Sequence, residues 1–274
     1  MAGQTASDRR RQMILEPLQY VLGIASGMLV GFSLGLVGGG GSILAVPLMV
    51  YLVGVPSPHV AIGTSALAVA ANAAAGLINH AHARNVKWRC GGMFAAAGIF
   101  GALAGSTLGK MVDGNKLLFL FALVMLLVGT FMIKGRGNPG DPGAECNREK
   151  APKVVGYGLV SGLFSGFFGI GGGFLIVPGL VASTGMPILL AVGTSLVAVT
   201  AFGITTAANY AFSGLVDWPL AGLFVLGGAV GTLAGTRLAR RLGARTGQLT
   251  LVFAALIFVV AAYMLWKSAS ALLG

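Results

Sequence analysis

The chain of 274 residues is 56% hydrophobic and only 9% charged, against about 25% charged in an ordinary soluble domain. Its charges collect in short segments between long apolar runs, which excludes a soluble globular domain and describes a polytopic membrane protein. The net charge of +11 sits in loops beside the apolar spans, where it sets membrane orientation, and no basic face with interleaved aromatics is present to bind nucleic acid.

Residues 1–16 form a polar N-terminal segment. Arg9, Arg10 and Arg11 there resemble the start of a signal peptide, but no cleavage pattern follows, so no removal is expected. The first transmembrane repeat, residues 17–134, opens with segment a, Leu18–Val37. Four glycines follow, Gly38 to Gly41. Each lacks a Cβ and costs a helix roughly 1 kcal/mol against Ala, so the α-helix must break there. A short segment b, Ser42–Val55, comes next, and Pro47 removes a backbone donor inside it. Segments c (Val60–Ala81), d (Gly91–Leu108) and e (Leu117–Ile133) are each close to the ~20 residues that cross a ~30 Å hydrocarbon layer.

Residues 135–152 are rich in Gly and Pro and mix both charge signs, which describes a flexible linker. The second transmembrane repeat, residues 153–274, then restarts the pattern. Segment a′ is Val154–Phe168, b′ Phe174–Thr184, c′ Ile188–Phe212, d′ Pro219–Leu238 and e′ Gly247–Trp266. Gly63-Thr64-Ser65 answers Gly193-Thr194-Ser195, Asn79 answers Asn209, Trp88 answers Trp218, and Gly101 and Gly105 answer Gly231 and Gly235, all at one constant offset. Pro47 and Pro178 lie one residue further apart. Chance similarity of small residues does not hold register for so long, so the chain is an internal duplication.

The fold class expected is an all-α polytopic membrane protein of two pseudo-symmetric repeats. Each repeat has a glycine-broken helical hairpin plus three spanning helices. The c–d loop carries Arg84, Lys87 and Arg89, while its counterpart carries Asp217. Loop d′–e′ carries Arg237, Arg240, Arg241 and Arg245, while its counterpart has Lys110 and Lys116 with Asp113. The basic bias changes loops between halves, as inverted repeats require. Inversion with both termini outside and the linker cytoplasmic puts as many basic residues inside as a same-direction arrangement with the N-terminus inside. Charge alone therefore does not orient the chain.

Two broken helices at matching places point to a transport site at the repeat interface. A helix that starts after such a break exposes unpaired N–H groups and about half a positive charge, which binds anions without a charged side chain. The substrate donors expected are Gly39, Gly40, Gly41 and Ser42, with Gly171, Gly172 and Gly173. Close helix packing through small residues is the competing explanation. Thr64, Ser65, Thr194 and Ser195 put hydroxyls early in c and c′, where they either donate to substrate or bond back to a carbonyl one turn earlier. Asn72, Asn79 and Asn209 are amides in apolar spans, with interhelical bonding as their plain role; Asn79 and Asn209 are also second-choice substrate ligands. His80 and His82 flank the basic loop and could relay a proton. His59 lies between the prolines and the next span. Trp88 and Trp218 read as interfacial anchors.

No Asp, Glu or Lys lies mid-span, which argues against a carboxylate-lined proton or cation path. Paired carboxylates, a histidine-rich metal motif and a nucleophile beside a base are all missing, so neither catalytic residues, metal nor cofactor is expected and the chain is not read as an enzyme. Cys90 and Cys146 lie far apart in sequence and read as ordinary thiols.

The motif Gly-x-Gly-Gly-[Gly/Ser]-x-x-x-Val-Pro, present as Gly38–Pro47 and Gly169–Pro178, each followed by Gly-Thr-Ser and a c–d loop ending in Trp, resembles the sulfite exporter TauE/SafE family, also called the 4-toluene sulfonate uptake permease family. The likeness covers about residues 18–270. It implies a multi-pass transporter of the bacterial inner membrane for sulfite or organosulfonates such as sulfoacetate, with the site on the two glycine–proline stretches. Ser42 stands against Gly173 and Gly39 against Ile170, so the two half-sites differ. The expected mode is alternating access at a central site, with a passive anion channel as the alternative. The partners expected are the small anion, the lipid bilayer and a second copy of the chain in a homodimer.

Overall fold

The computed structural model describes residues 17–134, 141, 143–144, 146–169, 173–241, 255 and 257–268. The N-terminal segment 1–16, part of the linker and the start of e′ lie outside these residues. α1 (Pro17–Val37) leads into the first broken segment, residues 38–52. This is wound as a 3-10 helix over Gly38–Leu44, one α turn over Ala45–Pro47 and a π turn over Leu48–Leu52. Then come α2 (Pro58–His82), α3 (Trp88–Met111), α4 (Gly114–Lys134), α5 (Ala151–Phe168), α6 (Gly173–Thr184), α7 (Ile188–Phe212), α8 (Trp218–Arg241) and α9 (Ile257–Ser268). No strand occurs among the described residues. Segments 18–36, α2, α3, α7 and 218–238 are long and apolar enough to cross a membrane.

Helix starts follow from local chemistry. Ser57 Oγ accepts from Val60 N before α2, with Pro58 at the first helical position. Asp113 Oδ1 accepts from Asn115 N and Lys116 N before α4. Asp217 Oδ1 accepts from Leu220 N before α8. α5 ends at Gly169, whose φ of 67° is left-handed and needs a residue without Cβ.

Each broken hairpin returns to the end where it began. Gln19 Nε2, near the start of α1, donates to the Val53 carbonyl at 3.1 Å. Lys150 Nζ, just before α5, donates to the Thr184 carbonyl closing α6 at 2.8 Å. α2 and α7 pack together in opposite directions. Thr64, early in α2, bonds Asp217, which follows α7, and Thr194, early in α7, bonds Lys87, which follows α2.

The two most extensive helix pairs are α1 with α8 and α3 with α5. Gly27, Gly31 and Gly35 of α1 abut the carbonyls of Phe224, Gly228 and Thr232. Gly227, Gly231 and Gly235 of α8 abut those of Ile24, Met28 and Phe32. Gly101, Gly105 and Gly109 of α3 meet Leu159, Leu163 and Phe167 of α5 in the same way. A Cβ at any of these positions would overlap the facing backbone. Residue numbers rise together along both pairs, so both are parallel, and each joins the first helix of one repeat to the fourth element of the other. Large apolar side chains point outward instead: Phe100, Phe212, Leu226 and Trp266 are exposed, as expected of a surface solvated by lipid. Trp88 and Trp218 are also exposed and start α3 and α8, at opposite ends of the molecule, which suits interfacial anchors.

The reading of the two cysteines as ordinary thiols is corrected here: Cys90 and Cys146 form a disulfide with a Cα–Cα distance of 5.4 Å. The linker folds back onto the start of α3, held by Asp141 N donating to the Gly185 carbonyl and by Lys150 on Thr184. Sequence spacing carries no sign of that return. Disulfides belong to oxidising compartments. The bridge therefore argues against a cytoplasmic linker, while Arg84, Lys87 and Arg89 at the same end argue for one. In denaturing detergent, a maleimide of high mass is expected to leave the chain unshifted until reductant is added and then to shift it twice. A shift without reductant would show that the two thiols are free.

Overfilling the helix contacts provides a second check. Gly31→Leu and Gly105→Leu are each expected to cost about 3 kcal/mol, read as a lowered melting temperature in detergent. Gly92→Leu, where nothing lies within 4 Å of an added Cβ, is expected to change little.

Candidate functional site

The glycine runs fall inside the protein. Gly41, Ser42, Ile43 and Leu44 are buried, and the 3-10 turn packs against α6 and α7 of the other repeat. The two broken segments thus meet in the interior and do not face lipid. They are not built alike. Gly38–Leu44, which carries Gly39 and Gly40, winds as a 3-10 helix, so its N–H groups pair with carbonyls three residues back and fewer are left bare than an open turn would leave. Pro47 cannot donate to Ile43, and the π turn begins directly after it, closed by Val53 N on the Leu48 carbonyl. Gly41 fits against the Ser33 backbone, where a Cβ would overlap. In the second repeat Gly169 ends α5 and α6 starts anew at Gly173. Gly171 and Gly172 lie outside the described residues.

The Gly-Thr-Ser motifs tie the repeats to each other. Gly63 allows α2 to reach the Leu215 carbonyl, and Gly193 allows α7 to reach the Asn85 carbonyl. Thr64 Oγ1 then accepts from Asp217 N at 2.9 Å, and Thr194 Oγ1 accepts from Lys87 N at 3.0 Å. Each threonine so satisfies a free N–H at the start of the other repeat's fourth element. Ser65 and Ser195 donate to the Ile62 and Val192 carbonyls three residues back. The serines take the back-bond that the sequence left open, while the threonines bond across the repeats, a role the sequence did not suggest.

Asn209 is equally engaged. Its Nδ2 donates to Ser106 Oγ at 2.6 Å and Thr107 Oγ1 at 3.0 Å, and its Oδ1 accepts from Lys110 Nζ at 2.8 Å. Lys110 also donates to the Asn209 carbonyl and to Ser213 Oγ, placing a cation at the C-terminal end of α7 where the helix dipole favours it. Asn79 lies in the last turn of α2, partly buried, and its carbonyl accepts from Ala83 N. His80 is buried nearby, and its carbonyl accepts from Asn85 N. His82 Nδ1 bonds the Ile78 carbonyl at 2.7 Å on an exposed face. Among the described residues no group of three or more His, Cys, Asp or Glu gathers. A cleft of about 270 Å³ lined by Lys87, Arg89 and the disulfide opens at the linker end, not between the broken segments.

Most hydroxyls on these helices return their proton to a carbonyl three or four residues back, as Ser106, Thr130, Ser183, Thr200 and Thr236 do. Ser26, Ser33, Ser165, Thr206 and Thr232 do not, although buried. Asn72 is the larger exception, since neither of its amide atoms has a partner. A buried polar group left unpaired costs about 1–3 kcal/mol. Sequence reasoning assigned Asn72 to interhelical bonding; aligning the repeats would have marked it, because Phe202 holds the equivalent place.

Comparison with known proteins agrees with this architecture. A profile of the family described as Sulfite exporter TauE/SafE matches residues 23–264. A probable membrane transporter protein of Xylella fastidiosa (strain 9a5c) is 49% identical over 251 residues, spanning 90% of this chain and 95% of its own. Probable membrane transporter protein YunE of Bacillus subtilis (strain 168) is 26% identical over 250 residues, 84% of this chain and 92% of its own. Probable membrane transporter protein MJ0441 of Methanocaldococcus jannaschii is 27% identical over 190 residues, 67% of each. No solved structure matches the chain.

The cross-repeat bonds predict an asymmetry within each motif. Thr64→Val strands the buried Asp217 N–H and is expected to cost about 1–3 kcal/mol, as is Thr194→Val at Lys87. Ser65→Ala and Ser195→Ala lose only a back-bond and should stay within about 0.5 kcal/mol. Melting curves of the four variants in detergent separate the two outcomes.

Proposed function

Because the chain belongs to the sulfite exporter TauE/SafE family, we propose that this membrane transporter carries a sulfur-containing anion, sulfite or an organosulfonate of the sulfoacetate kind. It does so across the bacterial inner membrane, by alternating exposure of a site between its two broken segments. The observation that carries the reading is the interior meeting of those segments. Irregular backbone at membrane depth survives only when buried in protein or lining a wet cavity. A sulfonate group spreads one negative charge over three acceptor oxygens, which neutral donors can meet. The described spans bring no Asp or Glu into their middles to repel it.

Alternating access asks for two related halves that can exchange roles. The antiparallel packing of α2 on α7, the hairpins that each return to their own starting end, and the exchanged threonine bonds all support halves related by inversion. The names of the relatives support transport and say nothing of the solute.

The test is flux of labelled sulfite and sulfoacetate into proteoliposomes holding the purified chain. Saturable uptake is expected from the parent, and a loss of at least about tenfold from Gly41→Val and Gly172→Val, compared at equal amounts of folded protein. Unchanged flux in both variants would remove the glycine segments from the site. Conductance steps in single-channel recording would replace the carrier with a pore.

A further inference from the structure

α2 and α7 hold matching places in the two repeats, and from Gly63 and Gly193 onward their residues correspond one for one. Midway along, where each crosses the fourth element of the other repeat, they differ. Phe202 of α7 lies over Gly98 of α3, its ring filling the space that a Cβ would need, and it stacks on Phe94 with ring centroids 6.3 Å apart. In α2 the same place is taken by Asn72, whose amide lies over Gly228 of α8. Asn72 is 1% exposed, and neither Oδ1 nor Nδ2 has a hydrogen-bond partner. One turn further along α8, facing Gly76 of α2, is Thr232, also 1% exposed and with an unpartnered hydroxyl.

A side chain that served only to fill this space would be apolar, as Phe202 shows in the other repeat. A side chain that served only to join helices would have its amide bonded, as Asn209 shows. Asn72 does neither. It brings two N–H donors and no charge to the middle of an apolar span, and Thr232, one turn further along the same contact, carries a third donor. Neutral donors at that depth suit an anion that sheds its water on entry, because they bind its oxygens without bringing a second full charge into lipid.

We propose that Asn72 and Thr232 are the oxyanion-binding side chains of the carrier. They form a single site on the α2–α8 contact, while Phe202 closes the equivalent place on α7 and α3. The chain then binds one small oxyanion at a time, on one of the two equivalent helix contacts only, with each repeat supplying one of the two side chains. This rests on the anion-carrier reading above and adds to it, since that reading leaves open which side chains hold the solute.

The experiment uses the full chain in detergent and in proteoliposomes, with sulfite and sulfoacetate as probes, and compares the parent with Asn72→Leu, Thr232→Val and Phe202→Leu. Leu has nearly the shape of Asn and removes an unpaired amide, so the melting temperature of Asn72→Leu without anion should equal or exceed the parent's. Its affinity for the anion, read from the shift of melting temperature with concentration, should fall at least about tenfold. Thr232→Val should weaken binding in the same direction, and Phe202→Leu should keep the parent affinity within about twofold even if it melts lower. Anion affinity unchanged in Asn72→Leu, or a lowered anion-free melting temperature with affinity retained, overturns the proposal and leaves Asn72 as a packing residue. Binding that depends on Asn72 without any flux in the parent upholds the site and sinks the carrier. Flux in the parent that survives in Asn72→Leu upholds the carrier and sinks the site. No stabilisation and no flux with either probe sinks both.

Discussion

Between two helices in lipid, a leucine gains little by leaving acyl chains for a neighbouring side chain, so association must come from close van der Waals contact and interhelical bonds. This chain meets that condition with backbone laid on backbone. The glycine stripes of α1, α8, α3 and α5 bring carbonyls of one helix against the glycines of the next. Everything else is arranged around those two parallel pairs. The antiparallel α2 and α7 sit between them, and the broken segments close the middle. Because each pair takes one helix from each repeat, neither repeat has a complete interior of its own. A transport cycle cannot simply rock one sequence repeat against the other without shearing the glycine contacts. The moving bodies, whatever they are, are drawn from both halves.

The same constraint explains why the interior is polar only at chosen points. Backbone N–H and C=O groups in an apolar medium need partners inside the protein. The threonines of the Gly-Thr-Ser motifs provide them at the two places where a spanning helix starts beside the other repeat. Lys110 does so at the end of α7, where three acceptors converge on one ammonium. These groups are spent on architecture. Among the described residues, the amide of Asn72 stays unspent, together with several serine, threonine and tyrosine hydroxyls and Nδ1 of His59.

The duplication, the broken hairpins and most helix boundaries were legible in the sequence, because glycine runs, prolines and apolar length act locally. α2 and α7 run close to the spans read from hydropathy alone. The glycine stripes were also written there, at Gly27, Gly31 and Gly35 and again at Gly227, Gly231 and Gly235, but a period of four does not name its partner helix. The roles of Thr64 and Thr194 could not be read at all, since the N–H groups they satisfy lie across the repeat boundary. The first glycine run ends the α-helix, as its composition requires, and the chain continues as a 3-10 helix packed against α6 and α7, a winding that the glycines alone do not specify. Asn72 was visible but ordinary until the space around it was known.

Cys90 lies before the Gly- and Pro-rich stretch and Cys146 lies at its far end. A protease that nicks the chain anywhere between residues 135 and 145 therefore releases nothing. The sulfur bridge holds the two pieces as one molecule, and the interlaced α1–α8 and α3–α5 pairs give neither piece a surface on which it could stand alone. The peptide connection between the repeats is thus doubled by a second covalent tether, and the thiol chemistry at its edge holds the pieces when that joint is lost.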